Sequence, residues 1–171
     1  MKIVLVGYMA SGKSTVGRLL AQKSGMRFLD LDEYIEGKLE AGITDIFKEK
    51  GEVYFRKKEH EFLREVLAEN EDLVIATGGG TPCYSGNMHT MLEESGGVFY
   101  LKVSIPELVR RLFKEKDQRP LIRHLDDNEL PEFIGKHLFE RSPFYSMASY
   151  SINCDHKEAE GIADEIKALL G

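Results

Sequence analysis

The chain has 171 residues, 42% hydrophobic and 30% charged, with a formal net charge of −6. That length supports one domain with its own core, and the acidic balance argues against a nucleic-acid binder, whose contact face is basic. The two cysteines, Cys83 and Cys154, are distant and form no C-x-x-C pair, so the chain reads as neither a disulfide scaffold nor a zinc site.

The first element is "IVLV" at 3–6, wholly apolar and rich in β-branched residues. Such a run suits a strand buried on both faces of a parallel sheet. It is too short for a signal peptide, a Gly-rich turn breaks it, and no window approaches a membrane span. A cytoplasmic protein with no membrane contact is therefore expected. Similar runs recur as "MRFLDLD" at 26–32, "DLVIATGGG" at 72–80, "GVFYLKV" at 97–103 and "SYSINC" at 149–154.

Helical patterns lie between them. "KSTVGRLLAQKSG" places Val16, Leu19 and Leu20 on one face and ends at Gly25. "EVYFRKKEHEFLREVLAEN" brings Val53, Phe55, Phe62, Leu63, Val66 and Leu67 near helical spacing. "SIPELVRRLFKEK" opens on an N-cap serine, Ser104, with a proline in the first turn. "HKEAEGIADEIKALLG" closes the chain as an amphipathic helix. Strands alternating with helices predict an α/β fold, a single domain over 1–171 with a central five-stranded parallel sheet flanked by helices. The polar stretch 114–132, with two prolines, reads as a mobile excursion.

"GYMASGKST" at 7–15 matches G-x-x-x-x-G-K-[ST] through Gly7, Gly12, Lys13 and Ser14, with a buried strand before it and a helix after it. Backbone N–H groups around Ala10, Ser11 and Gly12 and the positive end of the next helix surround phosphates. Lys13 supplies a cation to the β- and γ-phosphates, the Ser14 hydroxyl can ligate Mg²⁺, and Thr15 is a helix residue touching phosphate. The chain lacks an N-K-x-D guanine motif and is short for a motor ATPase, which favours a small-molecule kinase using ATP and Mg²⁺. "TGGG" at 77–80 ends the third apolar run, so Gly78, Gly79 and Gly80 face the ligand crevice of an open α/β sheet. Asp30 and Asp32, two apart on an expected strand, point to one side. Two carboxylates that close repel unless cations compensate them.

The set "GYMASGKST", "DLD" 30–32, "DIFKEKGEVYFRKKE" 45–59, "GGG" 78–80, "QRPLI" 118–122 and "ERSPFYSMASY" resembles, in order and spacing, the shikimate kinases over essentially the whole chain. The resemblance implies that Arg56 and Arg141 grip the carboxylate of shikimate and that Asp32 binds its ring hydroxyls. It implies that Gly79, flanked by Gly78 and Gly80, offers an N–H to the substrate. It also implies that Arg119 lies on a lid, about 112–124, and reaches the transferring phosphate. The substrate-binding segment is expected at about 32–60. Arg111 is assigned to stack on adenine, with Arg110 as the alternative. Asp30 is left facing the metal through water, beside Ser14. Lys13, Asp32 and Arg119 form the catalytic set, with Asp32 either a general base or a positioning group. Phe47 and Phe55 are expected behind the sugar-like ring, and a monomer is expected. The segment "NCDHKEAEG" departs from the pattern, lacking the arginine or proline expected near adenine. A gluconate kinase or another small-molecule kinase of the same build is the alternative, and a nucleoside monophosphate kinase fits the acceptor residues less well. A non-catalytic nucleotide module is a reading of a different class, disfavoured by the presence of Asp32 and Arg119.

Overall fold

The computed structural model describes residues 1–171. Five strands form one parallel sheet: β1 (Lys2–Val6), β2 (Arg27–Asp30), β3 (Leu73–Ala76), β4 (Gly97–Lys102) and β5 (Tyr150–Asn153), in the spatial order β2-β3-β1-β4-β5. Ile3, Val4, Leu5 and Val6 are fully buried, as expected of the central strand of a sheet covered on both faces. Eight helices cover it: α1 (Lys13–Ser24), α2 (Leu31–Leu39), α3 (Ile43–Lys50), α4 (Glu52–Leu67), α5 (Asn87–Glu94), α6 (Ile105–Glu115), α7 (Leu130–Tyr145) and α8 (Ala159–Leu170). None is long and apolar enough to cross a membrane.

The strand order positions the site. From β1 the chain crosses β3 to reach β2, returns through β3, then passes over β1 to β4. The reversal at β1 opens a crevice beyond its carboxyl end. The register is level there: Ala76 pairs with Leu5 on one side and with Asp30 on the other. The phosphate loop, the start of α2 and the triple glycine therefore leave the sheet side by side.

Several expectations are corrected. The second strand stops at Asp30, so Asp32 lies in the first turn of α2. Asp30 is the N-cap, its Oδ1 accepting from the Glu33 amide at 3.1 Å, which turns strand into helix with no intervening loop. The third strand stops at Ala76, leaving the glycines in a turn. Helix α6 extends to Glu115 with Leu112 fully buried, so the first residues of the 112–124 segment are helical. Arg141 lies inside α7, which continues through Pro143. In α4 Phe55, Leu63, Val66 and Leu67 face the core, but Val53 is 86% exposed. It falls in the first turn, on the far side from Phe55.

Candidate active site

The phosphate loop is shaped by steric exclusion. Gly7 has φ of 154°, and a Cβ there would lie 2.8 Å from Ser11 Oγ and 3.0 Å from the Leu101 carbonyl. Gly12, at φ of 97°, is the N-cap of α1, so the first-turn amides of that helix face the crevice without intrahelical partners. An anion fits such a helix start. Lys13 Nζ donates to the carbonyls of Gly7 at 2.6 Å and Tyr8 at 3.0 Å, holding the loop closed. Burial lowers its ammonium to about 8, opposed by Asp32. A phosphate beside it would restore the charge.

One cleft is lined by Lys13, Ser14, Asp30, Asp32, Gly79 and Arg119, with Ala10, Ser11, Gly12, Thr15 and Gly78 also in its wall. The Ser14 hydroxyl donates to Asp30 Oδ2 at 3.0 Å. Asp30 thus divides its oxygens, Oδ1 capping α2 and Oδ2 facing Ser14. Burial pushes the Asp32 carboxyl up to about 6, and Asp30 and Glu59 push it the same way. The two acids do share one side of the site, but through the strand-to-helix turn and not through strand alternation. Arg119 Nε and Nη2 donate to Glu115 Oε2 at 3.0 and 2.8 Å at the cleft mouth.

The triple glycine makes room for three charged side chains. A Cβ at Gly78 would lie 2.9 Å from Asp32 Oδ1, one at Gly79 2.9 Å from Arg141 Nη1, and one at Gly80 2.8 Å from Arg56 Nη2. Close approach, not unusual dihedral angles, requires glycine here. Arg56 and Arg141 consequently lie against consecutive residues, whose Cα atoms are about 3.8 Å apart. Both guanidinium groups also bear on Cys83, opposing the upward shift that burial imposes on its thiol. Arg141 is set by α7, whose Tyr145 hydroxyl donates to the Gly79 carbonyl at 2.6 Å. Burial raises that phenol well above its usual range, so it stays a donor.

Arg111 Nη1 donates to the Ala10 carbonyl of the phosphate loop at 3.0 Å, whereas Arg110 pairs only with Glu107 on the exposed side of α6. Residues 153–158 connect to the start of α6 through Asp155 Oδ1, which accepts from the Ser104 amide at 3.0 Å. Phe47 and Phe55 pack with ring centroids 4.5 Å apart beside Arg56.

A family model described as shikimate kinase matches residues 9–170. The chain belongs to the shikimate kinase family. It is 47% identical over 170 residues to the shikimate kinase of Flavobacterium psychrophilum, covering 99% of this chain and 98% of that one. The crystal structure of shikimate kinase from Bacteroides thetaiotaomicron superposes with a TM-score of 0.92 at 38% identity, covering 99% of this chain and 98% of that one. Shikimate kinase from Acinetobacter baumannii, solved in complex with shikimate, gives 0.88 at 35% identity, with coverages of 99% and 92%.

One residue of this shikimate kinase family member, Tyr84, was not singled out from sequence, and another, Glu59, was read there only as a possible partner of Arg56 beside Glu52. Glu59, 1% exposed, accepts from Arg56 Nη1 at 2.9 Å and from the Thr81 hydroxyl at 2.8 Å. A carboxylate so deeply buried needs both partners, and its signal was the i,i+3 spacing to Arg56, which on a surface helix signifies little. The Tyr84 ring lies under the Arg56 guanidinium, 3.9 Å from centroid to Cζ. It fixes the plane of the fork by cation–π contact, and nothing near it in the sequence marks that role.

Proposed function

We propose that this protein phosphorylates shikimate at the expense of ATP. The observation that carries the reading is the placement of Asp32, Arg141 and Arg56 against the three consecutive glycines beside a phosphate loop. Two cationic forks suit one carboxylate, and an acid beside the cleft suits a hydroxyl acceptor.

Lys13 and the first-turn amides of α1 bind the β- and γ-phosphates. Arg111, already on the loop, is assigned to the adenine side. Mg²⁺ fits the donor set: the Ser14 hydroxyl lies 3.0 Å from Asp30 Oδ2, and no cluster of three or more acidic, histidine or cysteine ligands exists to make an all-protein cage. That is the usual way this ion is held, with substrate phosphates and water completing its shell. When bound it neutralises charge on the transferring group. Asp32 orients the acceptor hydroxyl and, once ionised, can take its proton. Arg119 leaves Glu115 to meet the phosphoryl group as the segment after α6 closes. Every residue invoked comes from one chain, so a monomer suffices.

An ADP-release assay with shikimate, gluconate and a nucleoside monophosphate panel tests this reading. Turnover is expected with shikimate alone; its absence there would reject the function. Arg56→Ala or Arg141→Ala is expected to weaken shikimate binding by at least about thirtyfold in calorimetric titration, with ATP binding spared. Unchanged affinity would remove the carboxylate clamp. Gly79→Ala introduces a methyl 2.9 Å from Arg141 Nη1. It is expected to raise the shikimate KM about tenfold, the equivalent of a modest overpacking cost.

A further inference from the structure

Arg141 carries one of the two forks, and its own contact at Gly79 does not fix where its helix sits. The face of α7 that bears it does. His137, Arg141 and Tyr145 follow at four-residue steps, so they share one side of the helix. One turn after the arginine, Tyr145 donates to the Gly79 carbonyl. One turn before it, His137 Nδ1 lies 2.8 Å from the hydroxyl of Tyr8, the residue that follows Gly7 in the phosphate loop. Tyr8 is 2% exposed, and its ring meets the imidazole edge-on at 5.3 Å. Phe133 closes the other side of the imidazole at 5.4 Å.

We propose that the Tyr8–His137 hydrogen bond is a positioning device for Arg141, pinning the arginine's helix to the phosphate loop as Tyr145 pins it to the acceptor glycines. The proposal rests on the shikimate reading, since the affinity it predicts is that of the carboxylate gripped by Arg141. The apolar residues of α7, Leu130 and Ile134, bury the helix, but hydrophobic contact is non-directional and leaves sliding and rotation soft. Two directional bonds, one on each side of the guanidinium, remove that freedom. They are needed here because Pro143 lacks the N–H that would have bonded the Phe139 carbonyl, so the helix's own ladder is interrupted beside Arg141. The protonation states agree with this role. Burial, and then Arg141, hold His137 down at about 4, so the imidazole is neutral and its Nδ1 can accept. Burial lifts Tyr8 to about 12, so its hydroxyl donates.

Tyr8→Phe deletes one oxygen and keeps the ring. It is expected to raise the shikimate dissociation constant about fivefold, the worth of one net hydrogen bond, while the ATP KM changes less than about twofold. His137→Gln, which restores an acceptor, is expected to recover most of that affinity relative to His137→Leu. The deciding arm is a double-mutant cycle. In an Arg141→Lys background, which keeps a cation but no fork, Tyr8→Phe should have no further effect on shikimate binding. An unchanged affinity in Tyr8→Phe, or a full fivefold loss persisting in the Arg141→Lys background, would overturn the proposal. These outcomes presuppose that the wild-type protein phosphorylates shikimate. If it does not, the functional reading fails first, and a wild type that is active beside an unaffected Tyr8→Phe rejects the positioning role alone.

Discussion

Asp32→Asn is expected to lower turnover by about 10² to 10⁴, the range carried by a positioned acid–base group, while making the ligand-free protein more stable at neutral pH. Both effects share one cause. The carboxyl is raised from 3.8 to about 6, first by burial and then by Asp30 and Glu59. A carboxyl whose folded pKa lies above its unfolded one binds its proton more tightly when folded. Its contribution to stability is complete below about 3.8, falls as pH rises, and becomes a full cost above about 6. Two pH units correspond to at most about 3 kcal/mol at pH 7, which asparagine avoids by staying neutral. Thermal unfolding across pH 4 to 8 should show the difference between wild type and variant growing with pH. In turnover, the wild type should gain activity as pH rises through the Asp32 titration, and the variant should lose that limb. A variant with wild-type turnover would take Asp32 out of the mechanism.

Arg119→Ala is expected to cost about 10³ or more in kcat, as removal of a finger-type arginine does. The ATP KM should move much less, because Lys13 and the α1 amides hold the phosphates independently. In the ligand-free protein the guanidinium is bound to Glu115 through two hydrogen bonds of 3.0 and 2.8 Å, with both side chains more than a third exposed. An exposed pair of this kind is worth little, so a γ-phosphate can take the arginine at small cost. Folding should be untouched by the substitution. Single-turnover phosphoryl transfer is the decisive measurement, since it separates chemistry from product release; an unchanged single-turnover rate would remove the arginine from the reaction.

The parts of the fold written in hydrophobic runs were legible. All five strands, and helices α1, α4, α6 and α8, follow from apolar periodicity and their flanking glycines and serines. The junction at Asp30 was not, because Leu29 and Leu31 alternate with Asp30 and Asp32 as in a strand although the backbone has already turned helical. Both leucines are buried, so the pattern was real and its period misleading. Helix α7 was obscured by its prolines. Pro131 suits a helix's first turn, where its missing N–H costs nothing, and Pro143 sits in the last. In the site, motif residues were placed by resemblance, and Arg111 lies on the phosphate loop while Arg110 does not. Tyr84, Tyr8 and His137 act through contacts across long sequence separations, which no local pattern encodes, whereas Glu59 is three residues from Arg56 and only its burial was hidden in the sequence.

The triple glycine has a consequence for how the chain can diverge. Each position is matched to one partner side chain: residue 78 to 32, 79 to 141 and 80 to 56. Every substitution at a glycine adds atoms, so change there has no neutral first step unless the partner shortens. Replacements in related sequences should therefore come in pairs, an added carbon at one of the three positions with a smaller or withdrawn side chain opposite. A paired change at 79 and 141 or at 80 and 56 would then mark a lineage whose acceptor no longer presents the same anion.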